Sequence, residues 1–335
     1  RVAPDARSRD GLLIAHAAGT AAKLGEGYTR LPGAIAVAHE PVPDPATSPF
    51  TYRLWVGDGA DRRPAGAVVV PTGGFLNLVS ADGRTAVAVA GTDEFHVWDL
   101  SDPDAPRRTA TLTQWPFPQG IDAAGTLLTA VENGGAVHWR PGDTTRARLA
   151  AEGVEDAMPL DDGSGVVLAR RVGDHREVEV WHLDGRVTPV VSRSAEVTLT
   201  TGPNGMLAVS DDGRLTVFDL DGGPRVVVEG AVPERAVVEF SRDGSAVGAA
   251  YLERVWFWDL TGGRQPLALR SPGVDFSGAR FEPADGDLLL LESRTGAMWR
   301  LAVDVDRVVR EVCADPADVD WAAHFPGLPA RPLCP

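Results

Sequence analysis

Lysine is all but missing. Lys23 is the single lysine among 32 basic residues, and 47 acidic residues bring the formal net charge of the 335-residue chain to −15. Nucleic-acid affinity rests on Lys and Arg contacts that displace counterions from phosphates, so a chain this acidic is not expected to bind DNA or RNA. Cysteine is nearly as scarce: the two present, Cys313 and Cys334, fall short of the four ligands a structural zinc site takes. No uninterrupted apolar run approaches the roughly 20 residues that cross a bilayer, although 44% of residues are hydrophobic, and no membrane partner is expected. Motifs for nucleophilic and phosphate chemistry are missing too, with no G-x-S-x-G elbow and no G-x-x-x-x-G-K-[ST] loop. So are a basic leader followed by an apolar stretch and a lipid-anchor motif. We expect a cytoplasmic protein in which this chain, opening without Met at RVAPDARSRD, is preceded by a further domain.

What is present is periodic. Short runs close on an aromatic anchor at Trp55, Trp98, Trp139, Trp181, Phe218, Trp258 and Trp299, at steps of 43, 41, 42, 37, 40 and 41. A turn glycine runs ahead of each anchor from the second onward, at Gly83, Gly125, Gly163, Gly205, Gly244 and Gly286, at steps of 42, 38, 42, 39 and 42. Two combs with one period of about 40 residues mark a propeller-like array. Between them lie TAVAVA at 85–90, VVLARR at 166–171, MLAVS at 206–210, AVGAAY at 246–251 and LLLLES at 288–293, runs that read as strands. A further strand follows each anchor, as in VVVEG at 226–230. Four short antiparallel strands per repeat make one blade, so the expected fold is all-β, a seven-bladed β-propeller. The first repeat is the least regular, and Leu301 competes with Trp299 as the last anchor. The anchors read as packing residues, because large buried rings dominate core energetics.

HVWDLSD at 96–102, TVFDLDG at 216–222 and VWFWDLTGG at 255–263, each behind a DG-type turn, resemble WD40 repeats, and the resemblance spans about residues 30–301. Two departures stand out. The Gly-His dipeptide of those repeats is absent, and the acid after the anchor is replaced by Arg140, His182 and Arg300, which puts the buried polar tetrad of that family in question. The propeller is expected over 1–303, with a strand at about 12–17 closing the last blade so that no sheet edge is left open. Residues 306–312 compete for that place, but Val305, Val308, Val309 and Val312 recur at helical spacing, and 304–335 reads as a helical or irregular tail packed on the propeller.

That tail resembles the C-terminal extension of WD40 domains that end large multidomain actinobacterial proteins. The matching residues are Cys313, Trp321, Phe325-Pro326-Gly327, Arg331 and Cys334. The resemblance implies an upstream STAND-type NTPase, kinase or protease-like module, with the propeller as its sensor. Cys313 and Cys334 are either a disulfide or two thiols.

The histidines do not converge. His96 stands two before its anchor, His138 one before and His182 one after, and neighbours of opposite parity face opposite ways along a strand, so no metal and no cofactor is expected. Acidic pairs such as Asp161-Asp162 and Asp211-Asp212 fall in turns, where Asp bonds the local backbone. Recognition is therefore expected on loops held by the rigid array. In TQWPFPQG at 113–120, Trp115 and Phe117 are framed by Pro116 and Pro118, and such aromatics are the usual hot-spot material. Glu132, Asn133, Asp174, Arg176, Tyr251, Arg254 and Arg294 are placed beside them in turns between second and third strands. The reading is a non-catalytic module that binds a protein or peptide or senses a ligand, part of a larger bacterial signalling or defence protein. A propeller hydrolase or lactonase and a stand-alone scaffold are the alternatives.

Overall fold

The computed structural model describes residues 3–5, 30–31, 35–39, 49–56, 63–80, 82–143, 146–149, 152–193, 196–233, 236–241, 243–261, 267–270, 273, 275–281, 288–292 and 298–301. Among them every regular element is a strand. The short N-terminal β1 is Ala3–Asp5. The first sheet holds β2 Arg30–Leu31, β3 Ile35–His39, β4 Phe50–Val56 and β5 Arg63–Val70; the second holds β6 Phe75–Val79, β7 Thr85–Val89, β8 Glu94–Asp99 and β9 Arg107–Thr113. The third comprises β10 Pro118–Ile121, β11 Leu128–Glu132, β12 Gly135–Trp139 and β13 Ala147–Arg148, and the fourth β14 Val154–Pro159, β15 Gly165–Val172, β16 His175–His182 and β17 Val187–Arg193. Next come β18 Val197–Thr201, β19 Met206–Asp211, β20 Arg214–Asp219 and β21 Arg225–Ala231 in the fifth sheet. The sixth is β22 Val237–Phe240, β23 Ala246–Tyr251, β24 Arg254–Asp259 and β25 Leu267–Arg270. The last described sheet is β26 Phe276–Phe281, β27 Leu288–Glu292, β28 Met298–Leu301 and, beside β28, β1.

That last sheet joins the two ends of the described chain. Pro4 pairs with Trp299 across the β1–β28 ladder. Proline has no N–H to donate and is tolerated at a sheet edge, which is the place β1 takes. The expected closing segment at about 12–17 lies outside the described residues, as do 306–312 and the tail at 304–335 with Cys313 and Cys334.

The glycine comb has a backbone cause. Gly83, Gly125, Gly163, Gly205 and Gly244 all sit at φ between 67° and 74°, a left-handed conformation that costs glycine least. Four of them also close a tight turn, as Gly163 does by donating its N–H to the Leu160 carbonyl at 2.9 Å. The residue after the anchor acid is fastened to the same turn. Leu100 donates to Arg84 O at 2.6 Å, Leu220 to Gly205 O at 3.0 Å and Leu260 to Ser245 O at 2.8 Å. The acid itself caps the turn that follows: Asp99, Asp219 and Asp259 accept the N–H of Ser101, Asp221 and Thr261.

Each of the six buried clusters is shared by two consecutive sheets. The anchor comb follows the same rule: Trp98, Trp139, Trp181, Phe218 and Trp258 each lie in the cluster shared with the preceding sheet. The side chains of Trp55 and Trp299 lie outside the described part. First strands meet one another as well, β6 with β10, β10 with β14, β14 with β18 and β22 with β26, so they are the inner strands of the array.

The indoles act as volume more than as polar anchors. Nε1 of Trp98 and Trp258 has no partner among the described residues. Trp139 donates to the Asp143 carbonyl at 3.1 Å, and Trp181 to Glu179 Oε2 at 2.7 Å, which also takes Arg170. The indole partners therefore differ from sheet to sheet.

Candidate functional site

An up-and-down sheet places its turns on two sides. The first-to-second and third-to-fourth turns share one face; the second-to-third turn and the exit to the next sheet share the other. Because each described exit strand ends where the next inner strand begins, the described second-to-third turns and exits gather on one face. The described rim candidates named from sequence lie on this exit face, and the structure separates them.

Trp115 is a core residue. Only 5% of it is exposed, and it packs in the cluster between the second and third sheets with Leu78, Phe95, Ile121 and Trp139. Its backbone N–H donates to Asp93 O at 3.2 Å, tying the exit loop to the second-to-third turn of its own sheet. This overturns the expectation of a solvent-facing hot spot at Trp115. The reason is local backbone: Gln114 takes φ 55°, the chain leaves the extended path, and alternation no longer decides which ring faces in.

Phe117 goes the other way. It is 47% exposed, and Phe75, at the start of β6, is 37% exposed. Their rings meet at 6.3 Å between centroids, while Phe117 also stands edge-on to the buried Phe95 at 6.0 Å and 86°. Core packing thus holds the pair from behind while solvent meets it from the front. Phe75 follows Gly73-Gly74 at the head of an inner strand; a bulky residue behind a Gly-Gly step was the one signal that could have found it.

Beside the pair the charges are unequal. Arg146 lies 5.9 Å over the Trp115 ring, bonds the Gln114 carbonyl and pairs with Glu132 at 2.6 Å. Glu132 is therefore spent within the loop rather than presented. Asp93 is exposed and makes no ion pair among the described residues. Glu94, its neighbour, holds His96 Nε2 at 2.8 Å and keeps 44% of its side chain exposed.

The remaining candidates are dispersed. Arg176 is 11% exposed at its side chain and is bound to Glu155 at 3.0 Å; Arg171 joins the same carboxylate at 2.6 Å. Arg176 first, then burial working the other way and Arg171, set the balance that holds Glu155 below its ordinary range. Arg176 is thus a strut within the fourth sheet. Asp174 is fully exposed, with His175 at 3.4 Å its one ion-pair partner among the described residues, Asn133 occupies a left-handed turn position at φ 49°, and Arg254 is exposed. Tyr251 packs on the core between the fifth and sixth sheets. Arg294 lies outside the described residues.

Sequence reasoning missed a second feature. The inner strands β6, β10, β14 and β26 each carry a register break of one residue, after Leu76, Pro118, Val154 and Phe276. A bulge leaves its extra residue unpaired and re-aims its side chain. Two of these residues are amides that stitch sheet to sheet: Asn77 Nδ2 donates to the Pro118 carbonyl at 3.1 Å, and Gln119 Oε1 accepts from Ala157 N at 3.1 Å. Among the described residues no three His, Cys, Asp or Glu side chains are grouped as a metal site would require.

No known family model matches the chain, and no curated protein matches it. Solved structures do. The β-propeller domain of Cps50 (Swd1) from Myceliophteria thermophila superposes with a TM-score of 0.62 at 14% identity, over 90% of this chain and 100% of that one. A chain of the mitotic checkpoint complex gives 0.57 at 12% identity, over 91% of each. The fold is that of a β-propeller. At these identities the likeness speaks for architecture alone, so the propeller's function is argued from its own surface.

Proposed function

We infer that the seven sheets are the blades of one closed ring and that the chain is a non-catalytic module binding a polypeptide segment on its exit face. The observation that carries this reading is the Phe75–Phe117 pair, exposed to solvent yet braced by buried Phe95. A rigid aromatic loses little freedom on binding and is the commonest kind of interface hot spot. The propeller neighbours lend support at the level of fold; one of them was solved within the mitotic checkpoint complex.

The module is further read as the sensor part of a larger bacterial signalling or defence protein in the cytoplasm, on the resemblance of Cys313, Trp321, Phe325-Pro326-Gly327, Arg331 and Cys334 to the tails of such proteins. An NTPase, kinase or protease-like region encoded upstream of Arg1 is the expected finding, and an upstream sequence without one overturns that part. The binding reading is tested by peptide-display selection on the full chain with Phe117→Ser as the counter-selected target. Enriched peptides that lose the variant are expected; enrichment of peptides indifferent to it would place the binding surface elsewhere.

A further inference from the structure

Resting on that reading, the charges around the aromatic pair specify the occupant more closely. Acids predominate in the second-to-third turns and exits near it. Asp93 is exposed and tied by its own carbonyl to Trp115, two residues before Phe117. Glu94 stays 44% exposed although it holds His96. Arg146, which reaches this loop, is already consumed by Glu132, the Gln114 carbonyl and the Trp115 ring, and Arg108 is engaged with the His96 ring at 3.3 Å. Farther round the same face Arg270 is taken by Glu253 at 3.0 Å, Arg193 by Asp211 at 2.6 Å and Arg214 by Glu229 at 2.6 Å. Glu152 and Asp212, by contrast, are exposed and have no ion pair among the described residues.

We propose that Phe75 and Phe117, with Asp93 and Glu94 beside them, seat a polypeptide segment that carries an apolar side chain flanked by basic ones. The apolar side chain covers the exposed ring faces, which water leaves favourably. The flanking cations meet carboxylates that form no ion pair with arginine among the described residues, and complementary charge of this kind sets specificity and encounter rate more than raw affinity. An acidic segment would be repelled by the local carboxylates and by the net charge of −15.

The test uses the full chain and three fluorescent Gly/Ser peptides that differ only at the centre: Arg-Phe-Leu-Arg, Glu-Phe-Leu-Glu and Arg-Ser-Ser-Arg. Fluorescence anisotropy is expected to show the first bound at least about tenfold more tightly than the other two, the loss that follows when one hot-spot contact is removed. Phe117→Ser should remove about tenfold of that affinity while the chain still folds and melts cooperatively. Asp93→Asn and Glu94→Gln together should remove most of its dependence on ionic strength, since exposed charges are screened within about 10 Å at 0.1 M salt. Equal affinity for the first two peptides, or a first peptide indifferent to Phe117→Ser, overturns the proposal. A concentration-dependent dimer in sedimentation that Phe117→Ser disperses also overturns it, because a second copy would then cover the pair. If display selection returns face-specific peptides with neutral or acidic centres, the binding module stands and this inference falls; if selection returns none, both fall.

Discussion

Trp115 and Phe117 stand two apart in one loop and have opposite fates, so they make opposite predictions. Trp115→Ala removes a large ring from the cluster between the second and third sheets and should cost about 3–5 kcal/mol in chemical denaturation. Phe117→Ser, at a half-exposed ring resting on Phe95, should cost much less, about 1 kcal/mol, while losing peptide binding. A titrating residue gives a further check. Burial first, then the neighbouring carboxylates of Asp122 and Asp162, push Asp161 up to about 6 from an ordinary 3.8. The protonated carboxyl therefore favours the folded chain. Its contribution is present below about pH 4 and is lost as pH rises through about 6. Asp161→Asn is expected to raise the melting temperature at neutral pH, with the gain shrinking as pH falls to about 4; a gain that is the same at both pH values would refute the assignment.

At the scale of an element, turns and bulges join one sheet to the next. The turns between first and second strands interlock directly: Asp82 N donates to Ala123 O at 2.9 Å, and Ala123 N to Asp161 O at 3.1 Å. Gly163 belongs to this belt, and a Cβ there would stand 2.7 Å from Asp122 Oδ2. Gly185 also has positive φ, 92°, but a Cβ there meets nothing within 4 Å. Both substitutions to Ala carry the backbone penalty of more than about 1 kcal/mol; only Gly163→Ala adds a clash, so thermal melts should rank it clearly the more damaging. Asn77→Ala leaves the buried Pro118 carbonyl without its amide donor and should cost about 1–3 kcal/mol.

For the whole molecule the decisive element is one of the shortest. The three residues of β1 cover the edge of β28, and a bare edge is a template for pairing with another chain. Deleting residues 1–5 should lower the melting temperature and produce larger species in light scattering at high concentration. A truncated chain that melts and scatters like the parent would show that β1 contributes nothing to closure.

The amino-acid order alone carried the repeat, because each marker answers a local demand: a glycine where φ must be near 70°, an aspartate where a turn needs a cap, alternating apolar residues where a strand has two faces. It also carried the anchors Trp98, Trp139, Trp181, Phe218 and Trp258 as rings to be buried, since their volume and period leave few other uses. Only the tertiary structure decided that Trp115 turns in and Phe117 out, that Glu132 and Arg176 are consumed by Arg146 and Glu155, that Phe75 from the preceding exit joins Phe117, and that Ala3–Asp5 pairs beside β28. These outcomes depend on which side chains a neighbouring sheet presents across a gap, and on backbone pairing open to nearly any residue. No local pattern encodes either.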